Sequence, residues 1–343
     1  MEDLENMDWE ELPPLPDVAA EMKKIRRSLR KRNFLIVCTC LILVAALAFG
    51  IIQYGIPALE QRYWDPNTST YLEDTTDLEL TLAAYTELFC PGYSIFSVES
   101  IKSGFATHSI TVTFNYWNDY DKRLGITQQA AVLSKNELTF PVGFWDACTD
   151  DYLNTVGEGG LDYMASRTLS ALREYPDYVH VLARVHFPED LDTEEAISFC
   201  YTTDYRGSGR PIKYNVIWFN IRNSEKGEHL FPKCGFDPNF YGPSDWRLDS
   251  EYPYLDGYSG TASIDDHFMS MLRFLQDQLD KGTGFLPPDC SSESYYTDSL
   301  NYVEENGVMS YEAYVMGTPD ALSQRYEKGA IDGILLCDAW ISY

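Results

Sequence analysis

Seven cationic side chains, Lys23, Lys24, Arg26, Arg27, Arg30, Lys31 and Arg32, run directly into an uncharged stretch that opens at Phe34 and continues through Ile52, with the next charge at Glu60. At about 1.5 Å per helical residue the Phe34–Ile52 run spans about 28 Å, close to the ~30 Å hydrocarbon core of a bilayer. Two readings compete for such a segment: a retained membrane anchor and a cleavable signal peptide. A signal peptide carries an apolar region of about 7–15 residues behind a short leader. Here the leader occupies residues 1–33, and the small-residue triplet Ala46-Leu47-Ala48 lies inside the apolar run rather than after it. The anchor is the favoured reading.

The cations also set a direction. Basic flanks stay on the cytoplasmic side of a membrane. All seven lie before the apolar run, and after it only Arg62 appears before Lys102. The sequence therefore predicts a cytoplasmic head at 1–33, a transmembrane helix at 34–54, and an extracytoplasmic remainder. Tyr54, Tyr63 and Trp64 fall where amphipathic rings favour the outer headgroups. The expected location is the cell membrane, crossed once with the N-terminus inside and the lipid bilayer as a partner.

Charge is divided along the same line. Residues 1–33 hold eight acids and seven bases, whereas the remainder holds 45 acids against 19 bases, a net of −26. A surface that acidic repels phosphate backbones, which argues against direct nucleic-acid binding. Six cysteines lie beyond the anchor, at 90, 148, 200, 234, 290 and 337. Their number permits disulfides in an oxidising space, but the spacings are wide and a core of this size does not need them. The pairing stays open.

The head, "MEDLENMDWEELPPLPDVAAE", places Trp9, Leu12 and Leu15 around a proline-rich turn. A disordered tail and a peptide that orders on a cytoplasmic partner, with those three residues as anchors, both fit. From Asp17 to Asn33 the pattern turns helical and can continue into the anchor. Beyond the anchor, Thr76-x-x-Glu79 reads as a capping box. Leu78, Leu82, Tyr85 and Phe89 follow on one helical face, and Pro91-Gly92 ends the helix. "HSITVTFNYW" alternates as a strand with Ile110, Val112 and Phe114 on one side, and "AAVLSKNELTFPVGFW" gives another. These elements form a membrane-proximal α+β region over residues 55–175.

A second grammar begins near Tyr178. "YVHVLARVHF" alternates strictly, Asp192-x-x-Glu195 caps a helix, and "YNVIWFNIR" is a strand apolar on both faces. The C-terminus repeats it: "MSYEAYVMG", a Thr318-Pro319 helix start, Gly329 as stop, then "IDGILLCDAWI". Two β-α-β units predict a ferredoxin-like α/β sandwich over 176–343. Between them "IDDHFMSMLRFLQDQLDKG" is an inserted helix with Phe268, Leu272, Leu275 and Leu279 on one face. Residues 222–259 read as a long loop or a small hairpin.

Reactive constellations are scarce. HExxH, GxSxG, P-loop and GxGxxG motifs are all missing, and "GEGG" at Gly157 is a turn. His180 and His186 flank Arg184 on the polar side of a strand, as solvated or satisfied side chains rather than a ligand pair. Asp119-Tyr120-Asp121 is a weak cation candidate. The chain is expected not to be an enzyme and to carry no cofactor. The aromatic richness reads first as packing and second as stacking on sugar rings of a wall polymer. Asn67-Thr68-Ser69 fits a glycosylation acceptor, relevant only in a eukaryotic secretory pathway.

Four stretches together resemble a known family: "MKKIRRSLRKRNFLIVC" entering the anchor, "YWDPN" after it, "VHVLARVHFPEDLDTEEAISF" before "YNVIWFN", and the terminal "YVEENGVMSYEAYVMGTPDALSQRYEKGAIDGILLCDAW". Their order is similar to that of the membrane-anchored sigma-factor regulators of Gram-positive bacteria, with N-terminal and C-terminal sigma-factor-regulator domains. The resemblance implies an anti-sigma factor-like regulator of an extracytoplasmic-function sigma factor. Its outer part would sense envelope state and its head would engage the sigma factor. Residues 1–33 contain neither His nor Cys, so the zinc-binding module of many anti-sigma factors is missing. Engagement would then run through an induced helix or alongside a second small membrane protein. The alternative is a membrane-tethered binding module for a cell-wall polymer or envelope protein.

Overall fold

The structure, a computed structural model, describes residues 18–71, 75–117, 124–141, 144, 161–176, 178–201, 214–225, 233–238, 251–255, 263–287 and 290–341. The chain divides into two compact units, Met1–Arg62 and Tyr63–Tyr343. Its class is α+β, with one long apolar N-terminal helix and two antiparallel sheets.

The first unit is helical along its described length: α1 (Val18–Gly50), a π turn (Ile51–Gly55) and α2 (Ile56–Glu60). The π turn has a local cause. Pro57 sits in the first turn of α2, lacks an N–H and crowds the carbonyl one turn earlier. Widening the preceding turn relieves that crowding without breaking the helix. Trp9, Leu12 and Leu15 lie outside the described residues.

The second unit opens with α3 (Asp77–Phe89). Thr76 Oγ1 accepts the Glu79 backbone N–H at 3.1 Å, as the capping box requires. Burial pushes the Glu79 carboxyl up from its usual value, and the bond from the Thr76 backbone N–H partly offsets this. The Asp77 carboxylate in turn accepts from the Thr70 backbone N–H and hydroxyl, each at 2.7 Å, which ties the approach loop to the helix start. A Thr76→Ala variant is expected to lose about 1 kcal/mol of stability, the usual worth of an N-cap, read from the urea midpoint of the full chain in detergent.

The single-face pattern expected for α3 is corrected by the packing. Leu78 and Leu82 enter one core with the four-stranded sheet, whereas Tyr85 and Phe89 enter another with the five-stranded sheet. The helix is buried nearly all round because a sheet lies on either side of it. The smaller sheet runs β1 (Tyr93–Gly104), β2 (Thr107–Trp117), β3 (Leu124–Ser134) and β4 (Glu137–Thr139), all antiparallel neighbours. Ile110, Val112 and Phe114 alternate inward on β2 as their spacing predicts. The single strand expected across residues 130–145 is instead a hairpin, broken at Lys135-Asn136, where Lys135 takes φ 59°.

The larger sheet has the order β7-β6-β8-β5-β9, built from β5 (Val179–Leu191), β6 (Tyr214–Ile221), β7 (Cys234–Phe236), β8 (Ser310–Gly317) and β9 (Gly333–Ile341). β5 and β6 both run antiparallel to β8, which separates them, so they are parallel to each other. β8 and β9 are parallel across β5 by the same argument. α5 (Thr193–Tyr201) links the first pair and α8 (Pro319–Glu327) the second. Their starts follow the expected chemistry. Asp192 and Glu195 exchange reciprocal capping bonds, Thr318 Oγ1 accepts from the Ala321 N–H, and Gly329 closes α8 at φ 73°. α4 (Leu161–Glu174) packs along β9 and α8.

α6 (Ile264–Asp280) is the expected inserted helix, with Phe268, Leu272 and Leu275 fully buried. A second inserted helix, α7 (Tyr295–Asn306), escapes the sequence reading because its buried face is Tyr295, Tyr296, Ser299 and Val303, with a single aliphatic residue among them. Within residues 222–259, read from the sequence as a long loop or a small hairpin, the structure places β7 beside β6. Gly235 is required there: a Cβ would lie 1.8 Å from the Phe219 carbonyl oxygen and 2.5 Å from Trp218 Cζ2.

Candidate functional site

Two groups of side chains stand out, one in each unit. In the first, α1 carries all seven cations in its N-terminal half, every one exposed. Met22, Ile25 and Leu29, three and four residues apart, form an exposed apolar stripe on the same stretch. Sequence reasoning singled out the cations and passed over this stripe, although its spacing was legible. Beyond it the most apolar part of the helix is long enough to cross a membrane once, and none of it is buried.

In the second unit the polar side of β5 is not a solvated face. Arg184 and Glu312 are 6% and 1% exposed, and Arg184 Nε sits 2.8 Å from Glu312 Oε2. The other carboxylate oxygen, Oε1, accepts from Lys233 Nζ at 3.2 Å and from Asn220 Nδ2 at 3.1 Å. Asn220 also donates to the Tyr311 hydroxyl at 2.7 Å. The strands make this arrangement. β8 is the central strand, and its Glu312 is paired in register with His186 on β5 and Asn220 on β6. Burial pulls the Arg184 guanidinium down, but Glu312 beside it pulls it up, and the balance leaves it above its usual value. Both Glu312 oxygens are committed to cationic or amide donors. The carboxylate thus clamps three neighbouring side chains together.

Around this cluster lie two more polar pairs. Arg222 is bidentate to Asp190, at 2.5 and 2.9 Å, and its guanidinium sits 4.8 Å over the Tyr311 ring. His186 Nδ1 lies 2.8 Å from Asp332. His186 is thus a satisfied side chain, as expected, and His180 is buried. A separate pair joins α3 to α6: His267 Nε2 is 2.9 Å from Glu87 Oε1, and the Glu87 carbonyl accepts Trp218 Nε1–H at 2.8 Å. The Arg184–Glu312 pair escaped the sequence reading, yet it left a signal. Each strand carries one charge of opposite sign in the middle of an apolar run, and on a strand covered on both faces a charge needs a partner.

Asp119-Tyr120-Asp121 and the Gly157 turn lie outside the described residues. Among the described residues no three His, Cys, Asp or Glu side chains converge as metal ligands. No disulfide joins any two of the seven described cysteines. Comparison with known proteins returns no match among protein families, curated proteins or solved structures.

Proposed function

We propose that this chain is a single-pass membrane regulator, anti-sigma factor-like, in which residues 63–343 read the state of the envelope outside and the head engages an extracytoplasmic-function sigma factor inside. One observation carries the reading. A helix begins at Val18, gathers seven exposed cations in its first half, and continues through an apolar stretch with no protein packed on it. A lipid-length rod with that charge bias supports a cytoplasmic head and an exported acidic globule. The head offers Trp9, Leu12 and Leu15, and α1 adds the stripe Met22, Ile25 and Leu29. A second small membrane protein can share that stripe.

We read the five-stranded sheet as a ferredoxin-like sandwich extended by β7. Two strand–helix–strand units, each split by a strand of the other, support that reading. No enzymatic role is assigned. The most organised charged cluster is fully engaged with itself, which suits a rigid binding scaffold better than proton transfer.

The test has two parts. Reporters fused after Tyr343 in a Gram-positive host are expected to register the exterior, and reporters at the N-terminus the cytoplasm. Affinity capture of the full-length chain is expected to recover a sigma factor, and recovery is expected to collapse when Trp9, Leu12 and Leu15 are changed to alanine. Correct topology with no sigma factor recovered would instead favour the tethered binding module, whose function should survive replacement of residues 1–21.

A further inference from the structure

Two turns of the four-stranded sheet meet beside Tyr63 and Trp64, the first residues of the second unit. The β1–β2 turn holds Phe105 and Ala106, and the β3–β4 turn holds Lys135 and Asn136. The residues that follow α2 clamp onto both. The Tyr63 ring meets Phe105 edge-on at 6.0 Å, and the Trp64 backbone N–H donates to Asn136 Oδ1 at 2.8 Å. The turns are also bonded to each other, since the Lys135 N–H donates to the Ala106 carbonyl.

This tip is built with care and leaves apolar surface uncovered. Ala106 and Lys135 take φ 43° and 59°, and among the described residues only Tyr254 is another non-glycine at positive φ. Such conformations persist where surrounding bonds over-determine them. Here Thr107 Oγ1 donates to the Phe105 carbonyl and lies 3.5 Å from Ser134 Oγ. Yet Phe105 is 44% exposed, and Ile101 and Val132, which flank Ser109 in one row of the sheet, are 65% and 46% exposed. Residues 101–107 and 134–136 contain Lys102 and Lys135 and no acid, in a remainder whose net charge is −26.

Chain length fixes what can face this patch. The uncharged run continues from Phe34 through Leu59; at about 1.5 Å per residue it spans about 39 Å, the hydrocarbon core plus much of the headgroup zone. Tyr63 lies three positions beyond Glu60, a reach of at most about 11 Å. We infer that the β1–β2 turn, with Phe105, Ile101 and Val132 as its apolar contacts and Lys102 and Lys135 as its charged ones, rests in the outer headgroup layer of the bilayer. Aromatic and aliphatic side chains next to lysines are the composition that partitions there. The inference rests on the anchoring proposed above and adds a second point of membrane contact. A sheet fixed at both Tyr63 and Phe105 is held against swivelling on its tether.

The test uses the full chain in lipid vesicles, with an environment-sensitive fluorescent residue inserted in turn at positions 41, 105 and 178, and lipids brominated at shallow or deep positions as quenchers. Tyr178 is exposed and serves as the aqueous reference. The expected result is deep quenching at 41, shallow quenching with a blue shift at 105, and none at 178. Position 105 behaving like 178 while 41 is quenched would overturn this inference and leave the anchor standing. No quenching at 41 would overturn the anchor and the inference with it. A blue-shifted but unquenched probe at 105 would mean that protein, not lipid, covers the tip, which also overturns it. A probe at 101 repeats the measurement without altering Phe105. In the 105-probe chain, Ile101→Asp with Val132→Asp is expected to abolish the shallow quenching.

Discussion

Replacing Glu312 with alanine lowers the stability of the 63–343 globule by about 3–5 kcal/mol, the cost of stranding a buried guanidinium whose partner has been removed. The loss is expected as a lower urea midpoint with an unchanged slope, followed by near-ultraviolet circular dichroism of the full chain in detergent. Arg184→Met alone is expected to be similarly harmful, because the carboxylate is then left with Lys233 and Asn220. The double variant Arg184→Met with Glu312→Leu should recover most of the loss. It removes both desolvation costs and fills the site with apolar atoms, while Lys233, partly exposed, can turn outward. A Glu312→Ala cost under about 1 kcal/mol, the range of an exposed pair, would mean that this charge is hydrated.

Alkali is expected to destabilise the same globule steeply. Burial pushes the Cys234 thiol up to about 12, against smaller opposing bonds from Tyr295 and Asn223. Burial, reinforced by Asp237, pushes Cys200 up to about 12 as well. The unfolded chain sheds these protons from about pH 9 while the folded chain keeps them, so stability falls as pH rises. It is fully present below the unfolded value of about 9 and lost progressively toward 12, at roughly 1.4 kcal/mol per pH unit for each thiol. Tyr295 and Tyr296, raised well above 10 by burial, add the same sign at the upper end. Urea midpoints under reducing conditions at pH 8 and pH 10.5 test this. Cys234→Ala should flatten the decline, and a midpoint indifferent to pH across that interval would contradict the burial of both thiols.

Much of this architecture could be read from local chemistry. Caps at Thr76, Asp192 and Thr318 and the stop at Gly329 set helix limits through bonds within four residues, so neighbouring sequence sufficed. The alternation of Ile110, Val112 and Phe114 marked β2 because one side of that sheet is covered. What escaped was non-local. The doubled packing of α3 depends on two sheets approaching from opposite sides. α7 hides behind tyrosines whose burial requires distant partners: Asn223 for the Tyr295 hydroxyl and the Phe285 carbonyl for that of Tyr296. The Arg184–Glu312 clamp joins strands 128 positions apart, and only the sheet order brings them side by side.

α3 supplies side chains to the two larger hydrophobic cores, and its Glu87 reaches Trp218 on one sheet and His267 on an inserted helix. Neither sheet can therefore melt alone, because the keystone between them belongs to each. A molecule that tightens or loosens either half shifts the cooperative unit as one, so a change at one sheet is felt at the other without any separate relay.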